Sequence, residues 1–69
     1  MKINYNKLWK ILIDREMTKT DLREKAGITT NAMAKLGKNE DVRLSTIIKI
    51  CDVLQCQLQD IVEYRIGDE

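Results

Sequence analysis

The stretch Thr18–Leu36, TKTDLREKAGITTNAMAKL, leaves this chain few ways to fold. Thr18 is placed as an N-cap: its hydroxyl can accept the backbone N–H three residues on, and Asp21 stands where a carboxylate closes a capping box. Met17 and Leu22 flank that cap at the spacing of a hydrophobic staple. Gly27 follows the last residue of helical pattern, where the chain turns left-handed and a side chain would clash, and Ile28 can fold back onto Leu22. Thr29 then repeats the capping role, with Ile28 and Met33 as a second staple. Two capped helices joined by so short a connection around a glycine corner make a helix-turn-helix, covering about residues 18–38.

The second helix of the pair has two unlike faces. Advancing about 100° per residue from Thr30, the positions Thr30, Ala34, Lys38, Asn31 and Lys35 fall within roughly 140° of one another, and Ala32, Met33 and Leu36 cluster opposite. A solvated face normally mixes acids and bases in i,i+4 pairs, yet no acid occurs from Thr29 to Lys38. Hydroxyls, one carboxamide and two ammonium groups are what remain, and these hydrogen-bond base edges and phosphates. The plain alternative is a surface helix that happens to lack acids; the turn in front of it favours recognition.

From Leu8 to about Val62 the chain resembles the lambda-repressor and Cro-like helix-turn-helix family, also called the xenobiotic-response-element family, and in particular its short stand-alone regulators. Leu22, Ala26, Gly27, Ile28, Thr29, Met33 and Leu36 carry the resemblance, followed by LSTIIKICDVLQCQLQDIVEY. The resemblance implies an all-α fold, a compact bundle of about five short helices, that binds double-stranded DNA as a two-fold dimer on a palindromic operator. Carried over by position, Thr30, Asn31 and Lys35 are the residues that read base edges. Their chemistry suits that role. Asn31 can make a two-bond contact to adenine, Lys35 can donate to guanine, and Thr30 can serve a base or a thymine methyl.

Lys19, Thr29, Lys38, Asn39 and Arg43 are assigned to phosphate, where they set register and affinity without reading sequence. Ser45 and Thr46 join them by resemblance, because in the family the start of the later helix touches the DNA backbone. Lys19 stands where many relatives have glutamine, and Gly37 and Lys38 where a larger residue and then asparagine are usual. For Lys19 and Lys38 a solvated helix charge is the competing reading.

Sixty-nine residues, 43% of them hydrophobic, fit a single domain spanning the whole chain. So short a chain buries only about 60% of its unfolded surface, which makes dimerisation useful for stability. Phe and Pro are absent and Trp9 is the one tryptophan, so the core is aliphatic and the connections are short. A formal net charge of +1 is a weak signal for nucleic acid, but its distribution is not even. Residues 1–38 hold nine basic and four acidic residues; residues 39–69 hold three and seven.

The remaining segments complete the expected architecture. Met1–Tyr5 alternates polar and apolar residues and Ile61–Ile66 is β-branched and aromatic, so short terminal strands can form and pair, within one chain or between two. Asn4 or Asn6 can cap a first long helix that buttresses the helix-turn-helix through Leu8 and Leu12. Trp9 and Ile13 lie partly off that face, covering the core edge or inviting a partner. Gly37–Arg43 reads as a loop, and Ser45 as the N-cap of a helix burying Ile47, Ile50, Cys51 and Leu54. Gln57–Tyr64 closes the core with Leu58, Ile61 and Val62, with Gln57 a poor cap.

Cys51 and Cys56 match neither a zinc spacing nor a CxxC pair, and histidine is absent, so they read as reduced packing residues of a cytoplasmic protein without metal or cofactor. No signal peptide, membrane span, small-molecule site or acid–base pair is evident, which argues against an enzyme. One unit would bury only about 600–1,000 Å² on DNA, so the expected form is a homodimer with recognition helices about 34 Å apart, repressing by occlusion. The last helix and the terminal strands are the expected dimer surface. The competing function is a protein-binding module, an antitoxin or anti-repressor using the same fold, which the acidic tail EYRIGDE leaves open.

Overall fold

The computed structural model describes residues 2–66; Met1 and residues 67–69, the end of the acidic tail, lie outside it. In chain order the elements are β1 (Lys2–Asn4), α1 (Asn6–Asp14), α2 (Lys19–Ala26), α3 (Thr30–Gly37), α4 (Leu44–Leu54), a 3₁₀ turn (Leu58–Asp60) and β2 (Glu63–Arg65). The terminal strands pair with each other inside the chain, antiparallel, with Ile3 opposite Tyr64. Among the described residues there are four α-helices rather than about five as expected. The last is reduced to one 3₁₀ turn because the Asp60 carboxylate takes the Gln57 N–H at 2.9 Å, and β-branched Ile61 and Val62 then carry the chain into β2.

The helix-turn-helix forms as its caps dictate. Asp21 N–H donates to the Thr18 hydroxyl and Thr18 N–H donates to the Asp21 carboxylate, each at 3.0 Å. The Thr18 N–H foremost, and then the Thr18 side chain, hold the Asp21 carboxyl below its ordinary range. Gly27 is left-handed at φ 68°, and the N–H groups of Gly27 and Ile28 both reach the Arg23 carbonyl. Ala32 N–H donates to Thr29 Oγ1 at 3.0 Å, which starts α3. α3 includes Gly37, one residue beyond its expected end.

The core comprises Leu8 and Leu12 of α1, Leu22 and Ile28 around the turn, Leu36 of α3, Ile47, Ile50 and Leu54 of α4, and Ile61, joined by Tyr5. α2 packs on both α3 and α4, so the helix-turn-helix is fixed from behind. Trp9 is half-buried at the core edge while Ile13 is 73% exposed. Of the closing residues only Ile61 is fully buried; Val62 is half-buried and Leu58 faces solvent. Cys51 and Cys56 are free and half-buried, and burial pushes both thiols up.

Two expected caps are displaced. The cap residue of α1 is Tyr5, which the core holds in place at 2% exposure; Asn4 serves from one position earlier by accepting the Asn6 N–H at 3.1 Å. α4 starts at Leu44 with Arg43 as its cap residue, so Ser45 lies inside the helix, beyond the position from which its hydroxyl could take a first-turn amide.

Candidate nucleic-acid interface

The polar face of α3 is left uncovered by its own fold. Thr30, Asn31, Ala34 and Lys35 are exposed, Ala32 and Met33 are half-buried and Leu36 is fully buried, which is the division of faces that the 3.6-residue period requires. Between α3 and the start of α4 runs an open groove of about 310 Å³. Thr29, Asn31, Ala32 and Lys35 form one wall, and Val42, Arg43, Ser45, Thr46 and Lys49 the other. Among the described residues, three cations line it and no carboxylate does.

The start of α4 adds backbone donors to that wall. No side chain caps this helix; Thr46 N–H donates to the Arg43 carbonyl at 3.0 Å, which leaves the Leu44 and Ser45 amides at its positive dipole end. The loop that sets the spacing between α3 and α4 is tied at Glu40. Its N–H donates to the Lys35 carbonyl at 2.9 Å, and its carbonyl accepts the Tyr5 hydroxyl at 2.7 Å. Asn39, at φ 59°, makes the left-handed turn between them. Burial, reinforced by the Asp41 charge, raises the Tyr5 phenol above its ordinary value and keeps it a donor.

The groove therefore gathers Thr29, Asn31, Lys35, Arg43, Ser45 and Thr46 from the sequence-derived set. It does not gather the rest. Thr30 is exposed as the first residue of α3, and Lys38 is exposed just past its end. Asn39 lines a separate shallow depression with Lys2, Ile3 and Asp41. Lys19, exposed as the first residue of α2, places its ammonium 4.4 Å from the centre of the Trp9 ring. Lys49 is the groove cation that sequence reading missed. It stands one helical turn beyond Ser45, so the i,i+4 rule would have found it once Ser45 was placed on this side. Together with Arg43 it puts two of the three groove cations in the acid-rich half of the sequence.

The family model for the Cro/C1-type HTH DNA-binding domain matches residues 7–65. The chain belongs to that family. Among relatives of the Cro/C1-type domain, the HTH-type transcriptional regulator YozG of Bacillus subtilis (strain 168) is 43% identical over 61 residues, covering 86% of this chain and 73% of YozG. The crystal structure of the transcriptional regulator VanUg superposes with a TM-score of 0.87 at 52% identity, covering 90% of this chain and 83% of VanUg. The Cro/C1-type domain accounts for the helix-turn-helix and for a DNA-binding, transcription-regulating role. Among the described residues no helix is long and apolar enough to cross a membrane, and no cluster of His, Cys, Asp or Glu could hold a metal ion.

Proposed function

We propose that this protein is a sequence-specific regulator that binds a palindromic operator as a homodimer, with α3 in the major groove, and represses by occluding the promoter. The acid-free groove beside the bare face of α3 carries the reading: of the nine Asp and Glu residues among the described residues, none lines it. Asn31 and Lys35 read base edges, with Thr30 beside them at the start of α3. Thr29, Arg43, Ser45, Thr46 and Lys49 hold phosphate, the uncapped amides of α4 supplementing their side chains. Lys19, Lys38 and Asn39 contact the backbone outside the groove, at the start of α2 and the end of α3.

Selection of binding sites from random duplexes tests this directly. The expected product is a two-fold symmetric motif whose half-sites are centred about 10 base pairs apart. An asymmetric motif would remove the dimeric operator. The salt dependence of binding separates DNA from a protein partner, since counterion release lowers log affinity by about 0.9 per phosphate for each tenfold rise in salt. A shallow slope and no enriched motif would favour the protein-binding module.

A further inference from the structure

Residues 38–43 join the two walls of the groove, and the fold holds that segment unevenly. Its first part is bonded back onto α3. Lys38 N–H reaches the Ala34 and Lys35 carbonyls at 3.1 Å each, Asn39 N–H reaches Leu36 at 3.2 Å, and Glu40 N–H reaches Lys35 at 2.9 Å. Beyond Glu40 this support stops: among the described residues, the amides of Asp41, Val42 and Arg43 donate no backbone hydrogen bond. Val42 leans on the core through an apolar contact, which is non-directional. Among the described residues, the one side-chain hydrogen bond that reaches the segment comes from Tyr5, whose hydroxyl donates to the Glu40 carbonyl at 2.7 Å across 35 positions of sequence.

Tyr5 is a fixed origin for that bond. Its ring lies in the core at 2% exposure, and its own carbonyl accepts the Leu8 and Trp9 amides at 3.0 and 3.3 Å, so the first turn of α1 holds its backbone. Glu40 is exposed, and its carbonyl can turn to water if the hydroxyl is removed. Loss of the bond therefore releases the segment while the ring stays buried and the core stands.

We infer that Tyr5 is a positioning residue for DNA recognition: acting through the Glu40 carbonyl, it fixes Arg43 and the start of α4 at the distance from Lys35 that lets one duplex meet both walls together. This rests on the operator reading above and adds to it a residue too buried to touch nucleic acid. Base contacts read sequence while phosphate contacts set register, and the duplex fixes the span between them. A loose segment must be ordered on binding, and that cost falls on the complex that uses both walls at once. An unrelated duplex is held through its phosphates alone and tolerates a range of spacings.

Fluorescence anisotropy of the full chain, well below its melting transition and with circular dichroism to verify folding, compares two duplexes: the sequence enriched by wild-type selection and an unrelated one. Tyr5→Phe should weaken binding to the enriched duplex roughly three- to tenfold and change the unrelated one by less than about twofold. Replacing Tyr5 by 4-aminophenylalanine puts a donor back in the same place and should recover most of the loss. Glu40→Ala keeps both backbone bonds and should leave the ratio of the two affinities unchanged. Hydrogen exchange of the free protein gives a readout without DNA: in Tyr5→Phe the Glu40 amide should exchange faster, out of proportion to the core amides of α4. Equal losses on both duplexes would reduce Tyr5 to a structural role and overturn the inference, as would unchanged exchange at Glu40 or no recovery with the amino variant. Wild-type selectivity retained in Tyr5→Phe removes the positioning alone. A wild type that enriches no sequence sinks the operator reading, and this inference with it.

Discussion

The Lys19 ammonium sits 4.4 Å from the centre of the Trp9 ring, so the first residue of α2 is tied to the outer side of α1. The same nitrogen lies 4.0 Å from where a side chain on Gly37 would begin, which brings the end of α3 to this cation as well. A lysine at a helix N-terminus opposes the helix dipole. The aromatic face offsets that cost and holds the charge in one place, at the start of the helix that precedes the turn.

Replacing Trp9 by Leu should therefore weaken DNA binding without abolishing it. Leu keeps apolar cover on the core edge but removes the cation–π contact, a loss of about 0.5–1 kcal/mol. Affinity for specific and unrelated duplexes should fall together, by a few-fold. Lys19→Ala should lower both as well, and should reduce the salt slope by about 1. Anisotropy titrations at several salt concentrations read both effects; a Lys19→Ala variant that loses only specific binding would contradict a phosphate role.

Asn31→Ala and Lys35→Ala should each cost about 1–3 kcal/mol on the selected operator and leave unrelated duplexes bound as before. Lys49→Ala, across the groove, should behave oppositely: a uniform loss on all sequences and a smaller salt slope. If Lys49→Ala altered base preference instead, the two walls of the groove would need their roles exchanged.

Tyr5 connects the start of the chain to the loop after α3 through a single bond to the Glu40 carbonyl. Tyr5→Phe should lower stability by about 1 kcal/mol in urea or thermal unfolding, because the carbonyl loses its partner while the ring stays buried. The phenol is raised above its ordinary value of about 10, so the unfolded chain gives up that proton first. Stability from this group is full below that value and declines as pH rises through the native one. The Phe variant should lose that part of the alkaline slope. Burial of Cys51 and Cys56 acts with the same sign from about pH 9 upward, so a residual slope should remain in the variant.

The caps and the glycine were legible in the sequence because each acts within four residues. Thr18, Asp21, Gly27 and Thr29 occupy the roles their spacing assigns, and the bare face of α3 follows from a 3.6-residue period. What was not legible depends on distant contacts. Tyr5 joins the core through a partner 35 positions away, and Lys49 becomes a groove residue only because α4 lies alongside α3. The start of α4 moved by two residues, its cap position from Ser45 to Arg43, because no side-chain cap fixes it. Helix ends were hidden for a different reason: beyond α1, α3 and α4 the left-handed residue is Glu16, Asn39 or Gln55, none of which is glycine.

That difference makes Gly27 and Glu16 opposite tests of one rule. Gly27 has φ 68°, and an added Cβ would meet nothing within 4 Å, so Gly27→Ala carries a backbone cost alone. For an L residue held left-handed the expected loss is about 1–2 kcal/mol. Glu16 already bears that strain at φ 55°, where its N–H reaches the Ile13 carbonyl and the following Met17 N–H reaches Leu12. Glu16→Gly relieves it while giving the unfolded chain more freedom, and the net gain should be about 0.5–1 kcal/mol. Chemical denaturation of the two variants should move the midpoint in opposite directions with the m-value unchanged. A destabilised Glu16→Gly would mean that the Glu16 side chain contributes more to the end of α1 than its backbone strain removes.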